Sequence, residues 1–347
     1  MRAPLQQWSQ QMERIIYCMV CGKEAPVDAE RCLACDAPLH TEQQVTYPGL
    51  RRRCEQLPQQ LSDRLYIVVL SFKELPDTSR ECFRSIVAAL SHVDCDTVVL
   101  ASVASAEEAE LIRDSDLVII TAGSPRKPGM SRSDVLDVNR AVIDTIVDQV
   151  LELAPDALLM LVTNPVDVLT WHAWKRTGWT RNRVFGLGGV LDAARMAYYI
   201  GQETGHSSRD IQTMVIGGHG DSMLPLFRFS SIHGINAEIV LDSEARTRVT
   251  ERTRNGGAEV LNLREDSSAY TAPGAAVVTM VDAICNDRRQ ILPCVSVLDG
   301  EYSEQDTTAG VPVILGRNGI EEVIELPLNE TELDGFQASI ASIRADL

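Results

Sequence analysis

A chain of 347 residues, 45% of them hydrophobic, is long enough to form two or three domains around a large buried core. Its formal net charge of -17 argues against a nucleic-acid partner, because binding phosphates requires a basic surface. The sequence has neither an apolar run long enough to cross a membrane nor a signal-peptide core near Met1, so we expect a cytoplasmic protein without a membrane partner.

Residues 1–45 are predicted to form a small module of their own. Apolar side chains at helical spacing indicate a short amphipathic helix at 5–16. Two CxxC pairs follow, and four thiolates at their spacing can close a tetrahedral shell around a structural zinc ion. This pattern predicts a small zinc ribbon that binds a protein partner, and free thiols are the alternative. The candidate zinc ligands are Cys18, Cys21, Cys32 and Cys35.

Residues 46–62 are predicted to be a linker, and residues 63–164 a doubly wound α/β domain. Apolar segments predict strands at 65–70, 97–100, 117–121 and 158–163. Helices are expected between them at 81–90, 105–113 and 133–153. The alternation of strand and helix predicts a parallel sheet with helices on its faces.

The first two strands of this domain lack residues that a dinucleotide site uses. Glycines after the first strand let the backbone approach a pyrophosphate, yet no glycine occurs between Leu50 and Ala122. An acidic residue that would bind the adenosine ribose is also missing after the second strand, where Ala101 follows Leu100. We therefore predict a degenerate adenosine half.

Polar side chains follow the third and fourth predicted strands, where ligands of open α/β sheets bind. The segment 122–132 contains two glycines and two prolines, which indicates a hinged loop. Its Arg126 and Arg132 can bind a substrate carboxylate when the loop closes, and two solvated arginines are the alternative. Asn164 ends the fourth strand, where it either faces a ligand or initiates a turn with Pro165.

A candidate proton-transfer pair lies in the second half of the chain. His219 follows a short apolar strand at 214–216 and stands in the glycine-rich hexapeptide GGHGDS, and imidazole exchanges protons near neutral pH. Asp192 and Arg195 share one face of a helix predicted to start near 186. Asp192 can orient His219 while Arg195 binds a carboxylate, a combination suited to a 2-hydroxy acid. A turn histidine and a local ion pair are the alternatives.

The remaining elements of residues 165–347 indicate an α+β domain. Helices are expected at 166–176, where Gly178 should end the helix, and at 242–263, 271–283 and 330–345. Antiparallel strands are expected at 291–298, 311–315 and 323–326, with turns at Gly300 and at 317–319. Cys285 and Cys294 stand in apolar segments and are predicted to be core thiols.

From Asp116 to its C-terminus the chain resembles the lactate/malate dehydrogenase family. The matching segments occur in the family's order, and they are IITAGSPRKPGMSR at 119–132, VTNPVD at 162–167, GVLDAAR at 189–195, GGHGDS at 217–222 and GVPVILGRNG at 310–319. The resemblance implies a Rossmann-like doubly wound parallel sheet with a degenerate first half, followed by an α+β substrate domain.

The resemblance also implies roles for individual residues. His219 matches the proton donor and acceptor, with Asp192 as its carboxylate partner. Arg195 matches the residue that binds the first substrate carboxylate, and Arg132 the loop arginine that polarises the carbonyl. Arg126 stands where malate enzymes place an arginine for the second carboxylate, which favours a dicarboxylate, malate or oxaloacetate, over lactate or pyruvate.

The cofactor implied by the resemblance is NAD. Its nicotinamide half would contact residues that follow the third and fourth strands or lie on the next helix. These residues are Thr121, Gly123, Asn139 and Asn164, and the resemblance also places Asn164 near the substrate carbonyl. The missing glycines make the adenosine half depart from the family, and the zinc ribbon is not a feature of the family.

Two hypotheses follow from these observations. The first is an NAD-dependent malate dehydrogenase with a remodelled adenosine site, favoured by the complete set of polar pocket residues. The second is a dehydrogenase-like protein with weak or no turnover, which acts as a dicarboxylate sensor or as an assembly partner through its ribbon. In either case we expect a homo-oligomer or an assembly with a homologue.

Overall fold

The computed structural model describes residues 15–17, 24–26, 66–71, 97–102, 110–123, 132–264 and 271–347 of the chain. A short antiparallel hairpin is its first feature, formed by β1 (Ile15–Tyr17) and β2 (Glu24–Pro26), with Ile16 opposite Ala25. The helix predicted at 5–16 is therefore wrong at its last two residues, where two β-branched side chains favour a strand. The rest of that helix and the four CxxC cysteines lie outside the described residues.

Among the described residues, eight strands form a mixed sheet at the centre of the molecule. The strands that follow β2 in the chain are β3 (Tyr66–Ser71), β4 (Thr97–Ser102), β5 (Leu117–Ile120), β6 (Leu158–Leu161), β7 (Val184–Gly186), β8 (Ile211–Gln212), β9 (Val215–Ile216), β10 (Leu224–Pro225), β11 (Ser231–Ile232), β12 (Ile235–Asn236), β13 (Gln290–Asp299), β14 (Gln305–Gly316) and β15 (Gly319–Val323). Strands β8 to β12 belong to two smaller sheets, and the others form the large sheet. The order in the large sheet is β15-β14-β13-β7-β6-β5-β3-β4. Strands β3 to β7 are parallel, which confirms the predicted doubly wound sheet.

The antiparallel C-terminal strands extend this same sheet. Strands β13, β14 and β15 pair in antiparallel register, and Val295 of β13 pairs with Gly186 of β7. The central strands β5 and β6 are buried along their whole length, as expected for near-continuous apolar runs in a parallel sheet.

The helices confirm most of the predicted ones. They are α1 (Arg132–Leu153), α2 (Val166–Thr177), α3 (Gly189–Thr204), α4 (Ala237–Val240), α5 (Ser243–Arg264), α6 (Thr271–Cys285) and α7 (Glu330–Arg344). Helix α2 ends as predicted, because Gly178 adopts the left-handed conformation with a φ of 65° and its N–H donates to Trp174 O. Helix α7 starts with a capping box, in which Asn329 accepts a hydrogen bond from the Glu332 N–H.

Two predicted elements differ from the structure, and a third cannot be compared with it. The last strand was expected at 323–326 but β15 ends at Val323, because the tight turn at Arg317 and Asn318 lets pairing resume at once between Gly316 and Gly319. Of the helix expected at 105–113, residues Glu110–Ile112 form a 3-10 turn, and 105–109 lie outside the described residues. The helix expected at 81–90 lies outside them entirely.

The hydrophobic core follows the large sheet, and a second cluster fills the space between α3, α5 and the short strands β8 to β12. Cys285 and Cys294 are buried cysteines in the core, as predicted. Burial raises the pKa of the Cys294 thiol, which keeps it protonated. No helix in the described part of the chain is long and apolar enough to span a membrane.

The strand β7 joins the parallel and antiparallel parts of the sheet, so its central side chain should matter for stability. Phe185 is fully buried, and Phe185→Ala should lower the free energy of unfolding by about 3–5 kcal/mol through lost burial and a cavity. Urea denaturation followed by circular dichroism measures this change. The control is Ile239→Ala, because Ile239 is 78% exposed and should change stability by less than about 0.5 kcal/mol. Equal losses in the two variants would contradict the assignment.

Candidate active site

The candidate site lies at the carboxyl ends of β5 and β6, which are followed in the chain by α1 and α2. The Thr163 hydroxyl donates to Ala122 O at 2.7 Å, which ties the ends of the two strands together. The Asn139 amide on α1 donates to Asn164 O at 2.7 Å. The structure therefore brings together Asn139, Asn164 and the segment that contains Gly123, as the sequence predicted. The Asn164 side chain also accepts the Val166 N–H at 3.4 Å, so it makes a turn contact as well.

His219 lies on the turn that follows β9, and glycine is needed there. Gly217 has a φ of 85°, a left-handed conformation that a side chain would strain. Its N–H donates to Gly310 O at 2.8 Å, and the Gly310 N–H donates back at 2.9 Å. This paired contact fixes the turn against β14, so that the imidazole emerges at a defined place in the fold.

The predicted carboxylate–imidazole pair is present. His219 Nδ1 lies 2.7 Å from Asp192 Oδ2, and the side chains are 13% and 2% exposed. Arg195 donates from its NH1 group to Asp192 Oδ1 at 3.1 Å, and its side chain is 17% exposed. Asp192 thus binds one partner with each oxygen, which orients the imidazole and the guanidinium toward the same space.

The electrostatics of this cluster favour a protonated imidazole. Burial alone would lower the pKa of His219, but the charge and the hydrogen bond of Asp192 raise it above its usual value. Near neutral pH such an imidazole can take the proton of a hydroxyl group, and its protonated form can return that proton to an alkoxide. The geometry is that of a general acid–base pair with an anion-binding arginine beside it.

Asp167 belongs to the site although the sequence assigned it no role. It lies in the first turn of α2, and its Oδ2 accepts the backbone N–H of His219 at 2.8 Å. Burial raises the pKa of Asp167 to about 6, against the opposing effects of His219. The available signal was its place in the segment VTNPVD, one of those that carry the family resemblance.

Ser339 on α7 is a second residue that the sequence did not indicate. Its hydroxyl accepts the Gly218 N–H at 2.7 Å and donates to the Ser222 hydroxyl at 3.0 Å. The C-terminal helix therefore holds the histidine turn through Ser339, as α2 does through Asp167. A lone serine in an amphipathic helix gives no sequence signal for such a contact.

The two loop arginines are described least. Arg126 lies outside the described residues, and Arg132 is the first residue of α1. The structure thus confirms the neighbourhood of Asp192, Arg195 and His219, and the roles implied for the loop arginines stay predictions.

The fold and the site together are those of α/β oxidoreductases, in which a doubly wound sheet presents a proton-transfer pair at its ligand-binding edge. Comparison with known proteins makes this specific. Residues 65–186 match the model of the lactate/malate dehydrogenase NAD binding domain, and residues 189–347 that of the family's alpha/beta C-terminal domain. The chain belongs to the lactate/malate dehydrogenase family.

Individual relatives agree with this assignment. The malate dehydrogenase of Thioalkalivibrio sulfidiphilus is 58% identical over 240 residues, which cover 69% of this chain and 78% of that protein. The crystal structure of Cryptosporidium parvum malate dehydrogenase has a TM-score of 0.74 and 30% identity, over 82% of this chain and 98% of that one. The lactate dehydrogenase of the same organism, solved with lactic acid and nicotinamide adenine dinucleotide, has a TM-score of 0.72 and 27% identity over the same shares.

Asp192 should set the protonation of His219. Asp192→Asn should lower the pKa of His219, because the imidazolium then loses the charge and the hydrogen bond of Asp192, which offset its burial. In the wild type the raised pKa means that His219 stabilises the fold below the imidazole's unfolded value, and this contribution is lost as the pH rises through the folded value. Nuclear magnetic resonance titration of the His219 ring proton, assigned by its loss in His219→Asn, measures the midpoint.

The control for this titration is Asp221→Asn. Asp221 lies only two residues from His219, but its side chain is exposed and solvent screens its charge. Its replacement should therefore leave the midpoint of the His219 titration in place. A midpoint in Asp192→Asn that equals the wild-type value would contradict the coupling of Asp192 to His219.

Proposed function

We propose that this chain is an NAD-dependent malate dehydrogenase that interconverts malate and oxaloacetate. The observation that carries the proposal is the buried cluster of His219, Asp192 and Arg195. This cluster supplies a proton-exchanging group and a carboxylate-binding group in one place, in a family whose curated relatives include malate dehydrogenases at 58% and 56% identity.

The proton is handled by His219. Its Nδ1 is held by Asp192, so Nε2 is the ring nitrogen that takes the hydroxyl proton of malate as the carbonyl forms. The Asp192 carboxylate stabilises the resulting imidazolium, and in the reverse direction Nε2 returns the proton to the developing alkoxide. Bound NAD supplies the acceptor and donor of the hydride at the carbon that carries this oxygen.

Arg195 orients the substrate. A guanidinium carries five N–H donors, and Arg195 gives one of its NH1 hydrogens to Asp192. The remaining donors can bind the carboxylate next to the reacting carbon in a bidentate manner, which holds that carbon beside His219. Because both side chains are mostly buried, their charges act in a low dielectric and are strongly felt by the substrate.

The choice of a dicarboxylate is assigned to the loop arginines. In this proposal Arg126 binds the second carboxylate of malate, and Arg132 polarises the carbonyl of oxaloacetate beside Asn164. An arginine left without its carboxylate would penalise a monocarboxylate such as lactate. The sequence of the loop and the malate dehydrogenase relatives support these roles.

The described residues fit the nicotinamide half of NAD. Gly123 and Asn164 are exposed at the carboxyl ends of β5 and β6, Thr121 is half-buried, and Asn139 fixes the Asn164 backbone. These are backbone and amide groups at the edge where such sheets bind nucleotides. The adenosine half would lie near the glycine-free segment after β3, so we propose a weaker grip on that half.

The missing glycines specifically favour a second candidate function, a dicarboxylate sensor with weak turnover. A cofactor whose pyrophosphate is poorly held would leave the carboxylate site of Arg195 able to bind malate without oxidising it. In that case malate or oxaloacetate should bind the purified protein in the absence of NADH, while NADH shows no binding at millimolar concentration.

Purified protein should oxidise NADH in the presence of oxaloacetate. His219→Asn should lower kcat/KM by about 10² to 10⁴, the usual contribution of general acid–base catalysis. The absorbance of NADH measures the rate, and a fluorescence titration with NADH serves as the control, because the variant should bind the cofactor as the wild type does. Absence of both turnover and NADH binding in the wild type would refute the dehydrogenase and leave the sensor.

We also propose that the N-terminal module is a structural zinc ribbon that docks a protein partner or a second copy of the chain. The support is the spacing of the two CxxC pairs, together with the hairpin of β1 and β2 that brackets the first pair in sequence. Four protein ligands leave no open position on the metal, so its role would be in folding and assembly.

Native mass spectrometry should find one zinc per chain. Cys18→Ser should lose the metal, because three thiolates bind zinc far more weakly than four. Cys54→Ser is the matched control, since Cys54 stands outside both CxxC pairs and should leave the zinc in place. A wild-type chain without zinc would remove the ribbon.

A further inference from the structure

Asp167 is a buried carboxyl group that the proposed proton transfer does not yet use. It is 6% exposed and lies in the first turn of α2. Its own backbone oxygen accepts the Thr308 hydroxyl from β14 at 2.7 Å, so the start of α2 is fixed to the sheet. The position of its side chain is therefore well defined.

The two oxygens of this carboxyl group have different surroundings. Oδ2 accepts the His219 N–H at 2.8 Å, whereas Oδ1 is buried and has no hydrogen-bond partner among the described residues. A buried carboxylate with an unpaired oxygen is expensive, and a neutral side chain would hold the N–H at lower cost. The charge at this position therefore calls for an explanation other than holding the turn.

Within the described residues, three charged groups face the imidazole of His219. Asp192 on α3 and Asp167 on α2 both favour its protonated form, whereas Arg195 on α3 opposes it. The guanidinium that binds substrate thus makes the imidazolium less stable, and the second carboxylate offsets that effect. From β14 and α7 the contacts to this turn are made by Gly310 and Ser339, which carry no charge.

We propose that Asp167 is a positioning residue of the proton-transfer site, which fixes the backbone of His219 and favours its imidazolium form through a second buried negative charge. The proposal rests on the proposed function, because Asp167 would serve the proton transfer by His219. Asp167 acts through His219, and the substrate carboxylate is bound by Arg195.

Ser339 provides a matched comparison for this proposal. It binds the N–H of Gly218, the neighbour of His219, at 2.7 Å and is likewise buried. Both residues hold the same turn by one backbone N–H, but only Asp167 carries a charge. Any effect of holding the turn should appear in variants of both residues, and any effect of charge in variants of Asp167 alone.

The experiment compares Asp167→Asn, which keeps an oxygen acceptor but loses the charge, with Ser339→Ala. The readouts are the pH profile of kcat/KM and the nuclear magnetic resonance titration of the His219 ring proton. In Asp167→Asn the ring should titrate at a lower pH than in the wild type. Oxaloacetate reduction, which needs the imidazolium, should then fail at a lower pH, and malate oxidation, which needs the neutral ring, should begin at a lower pH.

The size and the specificity of the effect are also expected. Above the wild-type midpoint, kcat/KM for oxaloacetate reduction in Asp167→Asn should fall about tenfold, the equivalent of about 1.4 kcal/mol. The KM for malate should change less than about twofold, because Arg195 still binds the substrate. Ser339→Ala should keep the wild-type midpoint, whatever it loses in rate.

Several outcomes would overturn the proposal. One is a His219 titration midpoint in Asp167→Asn that equals the wild-type midpoint. Another is a shift of the midpoint in Ser339→Ala as large as that in Asp167→Asn. Either result would mean that Asp167 only holds the turn. If the wild type has no turnover, the proposed function fails, but the ring titration still tests the coupling. If Asp167→Asn does not fold, the wild type decides: its His219 signal should show a second inflection where the Asp167 carboxyl carbon titrates, and a single inflection would refute the coupling.

Discussion

The candidate site depends on one contact, the hydrogen bond between Asp192 and His219. It joins a residue at the start of α3 to a residue on the turn after β9, at 2.7 Å and almost out of solvent. A buried charge is tolerable only when it is paired, so each of the two groups makes the other possible. Arg195 adds to the same carboxylate and thereby links proton exchange to anion binding.

The surrounding fold serves mainly to hold that pair in place. The turn bearing His219 is held by β14 through Gly310, by α7 through Ser339 and by α2 through Asp167. These contacts come from parts of the chain far apart in sequence, and each is made by a backbone N–H. These contacts satisfy backbone donors of the turn, so the His219 side chain is not needed to hold the turn in place.

Much of this architecture could be predicted from the sequence, where the signal is local. Strands β5 and β6 are continuous apolar runs, and Gly178 ends α2 with the expected left-handed turn. The strand β7 was missed because three residues are too short for a periodic pattern, and β15 was misplaced because its alternation is weak. Asp192, Arg195 and His219 were found by chemistry and resemblance. Asp167 and Ser339 were not predicted as site residues, because many residue types can accept a backbone N–H and such a contact has no characteristic sequence pattern.

The pairing of Gly186 with Val295 has a consequence for exchanging parts between relatives. A Cβ on Gly186 would lie 2.6 Å from the Thr170 hydroxyl and 3.0 Å from Val295 Cβ, so this seam has no spare volume. The two family domains meet along it, with one ending at residue 186 and the other beginning at 189. A chimaera cut between them would bring together two surfaces from different proteins at a place where this chain packs without spare volume. Such recombination has to transfer Gly186, Thr170 and Val295 as one set, and the seam limits which halves evolution or design can combine.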